Sequence, residues 1–155
     1  MTLKLLPMVP PDTLTLFPLL READEDDERV RAALLAPENA TYAADDQGQR
    51  IGAAVVAWDT TASELLLLAV AAPLRGQGYG RQIIAALVAE AHARGIAALV
   101  VGTANSSLDA IKLYQQCGFR MDHVRRDYFA YVQPPISEDG IPLRDMLVLR
   151  MDLMR

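Results

Sequence analysis

The chain has 155 residues, of which 52% are hydrophobic and 23% are charged. This length predicts one domain, and the apolar content excludes a disordered chain. The formal net charge is −5, from 15 basic and 20 acidic residues, which argues against a general binder of nucleic acid or membrane surfaces. One cysteine, no apolar run long enough to span a membrane and no signal-peptide pattern together favour a cytoplasmic location.

The N-terminal part predicts an edge strand followed by two helices. Residues 2–9 fit a short strand, and a helix follows through residues 14–21 with Asp12 or Thr13 as its N-cap. An acidic run at residues 24–28 precedes the second helix. Two interpretations of this run are open: carboxylates that suit the positive end of a helix dipole, or a binding site for a cationic substrate.

The rest of the chain predicts strands first and then an alternation of helices and strands. Gly48 marks a hairpin turn, and the third strand is apolar on both faces, as a central strand would be. A strand, a helix and a further strand in this order predict a βαβ crossover, so that part of the sheet is parallel. The predicted strands cover residues 40–44, 50–58, 64–71, 97–102, 119–131 and 145–153, and the helices cover residues 80–94 and the segment from Ser106 or Ser107 to Gly118.

Residues 75–80 carry the strongest functional signal, Arg-Gly-Gln-Gly-Tyr-Gly, between an apolar strand and an amphipathic helix. Glycines allow close backbone approach, and N–H groups at a helix start attract anions, so this loop is typical of a phosphate-binding site. Arg75 and Arg81 flank the loop and can pair with phosphate oxygens. The alternative is a plain glycine-rich turn. The spacing is neither the dinucleotide fingerprint nor a P-loop.

This loop resembles the Q/R-x-x-G-x-G/A signature of the GNAT (GCN5-related N-acetyltransferase) superfamily, with Arg75, Gly78 and Gly80 in register. The segment 105–119, which begins with an Asn and ends in Gly-Phe, is also similar to the family. The resemblance is strong over residues 64–128. It implies an α/β (α+β) fold with a mixed, centrally splayed sheet flanked by helices on both faces.

The resemblance further implies one acetyltransferase domain over residues 1–155, with acetyl-CoA as co-substrate. Its parts would be a variable N-terminal region with acceptor-side helices (1–63), an acetyl-CoA-binding core (64–119), and C-terminal strands with an acceptor loop (120–155). The cofactor-binding residues implied by the resemblance are Ala69, Val70, Ala71, Arg75, Gly76, Gln77, Gly78, Tyr79, Gly80, Arg81 and Asn105.

Two residues are candidates for catalysis. The resemblance assigns Tyr114 as the general acid, because loss of a thiolate is eased by a placed proton donor; simple packing of this tyrosine is the alternative. Glu64 is a candidate base, or else a strand-start residue facing water, with ordered water acting in its place. Cys117 lacks a partner histidine and lies at a helix end, which disfavours a thiolate nucleophile. No metal site is predicted.

The sequence therefore predicts an acetyl-CoA-dependent N-acetyltransferase that transfers an acetyl group to a primary amine by direct attack in a ternary complex. A non-catalytic acyl-CoA-binding or sensing module is the alternative. The expected acceptor is a small-molecule or peptide amine, with no nucleic-acid or membrane partner. Glu138 and Asp139 belong to an amine site or to a solvated turn, and a homodimer using the apolar strand at 146–153 stays open.

Overall fold

The structure is a computed structural model that describes residues 3–154. Nine strands are present in this part of the chain: β1 Leu3–Met8, β2 Ala40–Asp46, β3 Gln49–Ala57, β4 Ser63–Val70, β5 Ala98–Ala104, β6 Arg120–Arg125, β7 Ser137–Glu138, β8 Ile141–Pro142 and β9 Met146–Asp152. Four α-helices accompany them in the same residues: α1 Phe17–Leu20, α2 Asp27–Leu35, α3 Tyr79–Ala93 and α4 Leu108–Gln116. Short 3-10 helices cover Asp12–Leu16, Arg21–Ala23, Ala72–Leu74 and Tyr128–Tyr131.

Seven strands form one mixed sheet in the order β1-β2-β3-β4-β5-β9-β6. The β4–β5 pair is parallel and is joined through α3, whereas the other neighbours are antiparallel. The predicted crossover is confirmed, because a parallel connection needs a helix-length link between its strands. The small β7–β8 hairpin stands apart from this sheet.

The centre of the sheet is splayed, as expected. β4 and β5 pair at only three positions, from Ser63 opposite Leu99 to Leu65 opposite Val101, and then separate. At the same point the β3–β4 register shifts, because Val55 pairs with Leu67 while Val56 pairs with Leu65, which leaves one extra residue in β4. A bulge of this kind bends its strand and increases the local twist, which accounts for the separation of β4 from β5.

Helices cover both faces of the sheet, which confirms the predicted fold class. On one face, α3 and α4 enclose an apolar core that includes Ile83, Leu87 and Phe119. On the other face, α1 and α2 pack on β3 and β4 through residues such as Leu20 and Val30. Each face of the central strands is therefore buried, which is why residues 65–70 lack the alternation of a half-exposed strand.

Two local predictions are wrong. Residues 119–131 do not form one long strand: β6 ends at Arg125, Asp127 adopts a left-handed conformation with φ 57°, and a 3-10 turn follows. The first helical segment is not capped by Asp12 or Thr13: it begins as the 3-10 helix Asp12–Leu16 with Pro11 as N-cap, α1 follows with Leu16 as N-cap, and no side chain caps either one. The Thr13 hydroxyl instead donates to the Leu34 carbonyl at 2.6 Å and ties this segment to α2.

The remaining element predictions agree with the structure within a few residues. Asp26 caps α2 by accepting a hydrogen bond from the Glu28 amide at 2.9 Å, so the acidic run does begin a helix. Thr2, part of the predicted first strand, lies outside the described residues. Within residues 3–154, no helix has the length and apolar character needed to cross a membrane.

Candidate active site

The glycine-rich loop presents unpaired backbone N–H groups at the start of α3. Gly76 and Gly78 have φ values of 78° and 87°, which L-residues with side chains rarely adopt. Gly78 is the N-cap of α3 and no side chain caps this end. The first N–H groups of a helix have no intrahelical partner, so the amides at residues 79–81 are free to bind an anion.

The cations beside the loop have protein partners in this structure. Arg75 donates from Nε to the Val70 carbonyl at 3.0 Å and pairs through Nη2 with Glu22. Arg81 hydrogen-bonds to the side chain of Gln116 on α4. Arg75 therefore holds the loop against β4, in addition to placing its charge beside the groove.

The backbone of β4 points polar groups into the gap between β4 and β5. The Ala71 amide donates to the Ile51 carbonyl at 2.9 Å, so residues 69 and 71 face β3. Alternation in an antiparallel ladder then directs the Val70 N–H and carbonyl away from β3. Since β5 has already separated at this height, the Val70 N–H faces the gap and is available to a ligand.

A long groove runs from the loop to the splayed strands. Its volume is about 1120 Å³, and it is lined by the end of β4, the whole loop, the start of α3 and one side of α4. Nine of the eleven predicted cofactor-binding residues line this groove. Ala71 adjoins the lining residues, and Asn105 lies outside them.

A second cavity of about 400 Å³ lies on the α2 side of the sheet. Five carboxylates and two guanidiniums line it: Glu22, Asp24, Glu25, Glu64, Glu138, Arg29 and Arg125. The two cavities share Leu68, Ser107, Ala110 and Tyr114, so they meet where β4 and β5 separate. A ligand bound in the groove can therefore reach a ligand bound in the acidic cavity.

Tyr114 lies at this junction. Its residue is 8% exposed, its ring packs edge-to-face on Phe119 with centroids 5.7 Å apart, and its hydroxyl makes no hydrogen bond to any residue of the 3–154 range. Burial, with a smaller contribution from Cys117, raises the pKa of Tyr114 to about 12. The phenol is therefore protonated at neutral pH and has a proton to donate.

Glu64 lines the acidic cavity at the start of β4. Desolvation by the cavity walls raises the pKa of Glu64, and the charge of Arg125 partly offsets this rise. A carboxylate with a raised pKa is a better proton acceptor than an ordinary glutamate. Among residues 3–154, no group of three or more His, Cys, Asp or Glu side chains forms a potential metal site.

Asn105 fixes the connection between β6 and β9, residues 126–145, through its side-chain hydrogen bonds. Its Nδ2 donates to the Pro142 carbonyl at 3.0 Å, and its Oδ1 accepts from the amides of Arg144 and Asp145 at 2.9 and 3.0 Å. Glu138 on the β7–β8 hairpin accepts from the Ser106 hydroxyl at 2.9 Å and lines both cavities. These hydrogen bonds hold the connection against the start of α4. Glu138 is part of the acidic cavity, whereas Asp139 lines only the groove.

Sequence reasoning did not identify Glu22, Arg29 and Arg125 as site residues. Arg29 lies between two aromatic rings: it donates to the Tyr131 hydroxyl at 3.0 Å and the Tyr128 hydroxyl at 2.8 Å. No local pattern marks these residues, because they come from three separate segments. The sequence does point to this side through Glu64, Glu138 and the acidic run 24–28, for which a cationic site is one interpretation. Of these residues, Asp24, Glu25, Glu64 and Glu138 line the cavity.

Comparison with known proteins gives the same family throughout. An uncharacterised N-acetyltransferase of Bacillus subtilis, YvbK, is 36% identical over 91 residues, which are 58% of this chain and 59% of YvbK. A GNAT family acetyltransferase from Elizabethkingia anophelis, solved with acetyl-CoA bound, is 32% identical with a TM-score of 0.85 and covers 98% of this chain and 99% of its own. A Bacillus subtilis acetyltransferase in complex with CoA is 29% identical with a TM-score of 0.85 and covers 99% of both chains.

A family profile also matches most of the chain. The profile described as acetyltransferase (GNAT) family matches residues 10–119, which contain the splayed strands, the glycine-rich loop and Tyr114. The resemblance first carried by residues 75–80 therefore extends across most of the sequence and nearly the whole fold, and this chain belongs to the GNAT acetyltransferase family.

Proposed function

We propose that this protein transfers the acetyl group of acetyl-CoA directly to a primary amine, with both substrates bound at once. The observation that carries the proposal is the meeting of the two cavities at Tyr114, where β4 and β5 separate. One cavity ends in a phosphate-binding loop and the other is acidic. A donor and an acceptor bound in them can react without a covalent enzyme intermediate.

The groove has the donors that acetyl-CoA requires. Free amides at the start of α3 suit a pyrophosphate, and a Cβ at Gly76 or Gly78 would meet no atom within 4 Å, so the loop surface is open to a ligand. The Val70 N–H suits the pantetheine arm or the thioester carbonyl. Acetyl-CoA supplies an activated acyl group, and two similar solved structures contain acetyl-CoA or CoA.

Within this proposal, Tyr114 donates a proton or hydrogen bond toward the leaving sulfur, and Glu64 accepts the proton of the amine directly or through water. The raised pKa of Glu64 fits its assignment, because Glu64 gains basicity. The Tyr114 hydroxyl fits its assignment because it has no hydrogen-bond partner within residues 3–154 and lies where the two cavities meet. Asn105 acts as a positioning residue for the C-terminal connection, since its amide is occupied there.

The acidic lining supports an acceptor that arrives as an ammonium ion. Five carboxylates face two guanidiniums around the cavity, and a surplus of negative charge concentrates cations. The neutral amine needed for attack then forms next to a proton acceptor. A cytoplasmic location and a homodimeric state stay predictions of the sequence.

The test is CoA release from acetyl-CoA with a panel of primary amines, measured for wild type and Tyr114→Phe. We expect the substitution to lower kcat by about 10²–10⁴-fold, the usual contribution of a positioned general acid, with acetyl-CoA affinity unchanged by calorimetry. Gly78→Glu is the matched binding variant and should abolish acetyl-CoA affinity. Acetyl-CoA binding without turnover of any amine would favour the non-catalytic sensing module and refute the proposal.

A further inference from the structure

Arg125 is an arginine of the acidic cavity whose guanidinium has no carboxylate partner. Within residues 3–154 it forms no ion pair within 4.0 Å and no hydrogen bond. Its position is nevertheless defined, since its Cζ lies 4.8 Å from the ring centroid of Tyr128 and its backbone pairs with Met146 at the end of β6. A guanidinium held in this way keeps its N–H groups free to bind an anion.

Arg29, the other guanidinium of the cavity, provides a contrast. It donates to two tyrosine hydroxyls and lies 3.5 Å from an Asp24 carboxylate oxygen, so its hydrogen-bonding groups are largely occupied. Arg29 thus stabilises the wall of the cavity. Arg125 alone among the described cavity residues offers an unpaired positive charge to a ligand.

Arg125 is also close enough to Glu64 for its charge to act on that carboxylate. Glu64 and Arg125 both line the cavity, which therefore contains one candidate proton acceptor and one cation that has no ion-pair partner within 4.0 Å among the described residues. An acceptor that carries an amine and a carboxylate on the same carbon matches this pair in sign. A simple diamine would bring a second ammonium toward Arg125, which is unfavourable.

We infer that Arg125 binds the carboxylate of the acceptor, so that the preferred acceptors are amines of the amino-acid type. Two parallel N–H···O bonds from the guanidinium to the carboxylate would fix the acceptor and direct its amine toward the junction at Tyr114. This inference rests on the proposed acetyl transfer and adds the class of acceptor and its specificity-determining residue.

The experiment measures CoA release with three matched series of acceptors: the common amino acids, their carboxamides, and the amines that lack the carboxyl group. Wild-type protein should give the highest kcat/KM with members of the carboxylate series. Arg125→Gln should raise KM for those members by about tenfold to a hundredfold, as expected for loss of a charge-assisted hydrogen bond, and leave KM for carboxylate-free amines within about twofold. Arg125→Lys, which keeps the charge and loses the bidentate geometry, should fall between the two.

Arg126→Gln is the matched control, because it removes the same charge from the next residue, which is exposed and lines neither cavity. It should leave the preference for the carboxylate series unchanged. Equal or better turnover of carboxylate-free amines by wild type would overturn the inference while the proposed function stood. An Arg125→Gln effect of the same size on all three series would also overturn the inference, because Arg125 would then act only through its charge on Glu64. Turnover of no amine at all would instead refute the proposed function.

Discussion

Gly52 offers a quantitative test of how β3 fixes the position of β4. It lies in β3 opposite Val70, and a Cβ at this position would approach the Ala69 carbonyl oxygen to 2.5 Å and the Ile83 Cδ1 to 2.9 Å. The Ala69 oxygen belongs to backbone in the β3–β4 ladder and cannot rotate away. We expect Gly52→Ala to lower the free energy of unfolding by about 1–3 kcal/mol, the usual cost of overpacking. For a domain of this size, each kcal/mol lowers Tm by about 2–4 °C.

The assay combines thermal and denaturant unfolding with calorimetric titration of acetyl-CoA. Gly102→Ala is the control, because its Cβ would meet the Met146 side chain, with Sδ at 2.6 Å, and a flexible thioether can move. Gly52→Ala should also weaken acetyl-CoA binding, since it displaces Ala69 and Val70. Wild-type stability of Gly52→Ala, or equal losses in the two variants, would refute the reasoning.

Two further predictions concern the acidic cavity. If Glu64 is the base, kcat/KM rises with pH through a pKa above the ordinary 4.5. Arg125→Gln should move this rise to higher pH, and Glu64→Gln should remove it. An unchanged pH profile of kcat/KM in Glu64→Gln would exclude Glu64 as the base. Arg29→Met should lower the free energy of unfolding by about 1–2 kcal/mol and raise the KM for the amine, because Arg29 joins α2 to Tyr128 and Tyr131. A loss of acetyl-CoA affinity in the same variant would contradict this local role.

The conformation of the glycine-rich loop could be predicted from the sequence because it depends on consecutive residues. Positive φ at Gly76 and Gly78, and a helix start at residue 79, are properties of consecutive residues. The hairpin turn at Gly48 is similar, with φ values of 51° at Gln47 and 80° at Gly48. At each of these glycines the positive φ favours glycine over other residues, so the glycine indicates the conformation.

The end of β6 could not be predicted from the local sequence. Residues 119–131 alternate well enough for one strand, yet Asp127 turns the chain and its amide donates to the Asp145 carboxylate at 2.8 Å. This partner is 18 residues away in the chain, and no pattern in the residues around Asp127 predicts it. The bond helps place Tyr128 and Phe129 on the cavity rather than in the sheet.

The sequence by itself determined the family, the βαβ core and the glycine-rich turn before α3, because periodicity and glycine positions are set by short-range sterics and burial. Only the tertiary structure decided where β4 separates from β5, which carboxylates surround the second cavity, and that Arg125 stays unpaired among them. These features depend on the packing of segments far apart in the chain, whose contacts and desolvation no local pattern encodes.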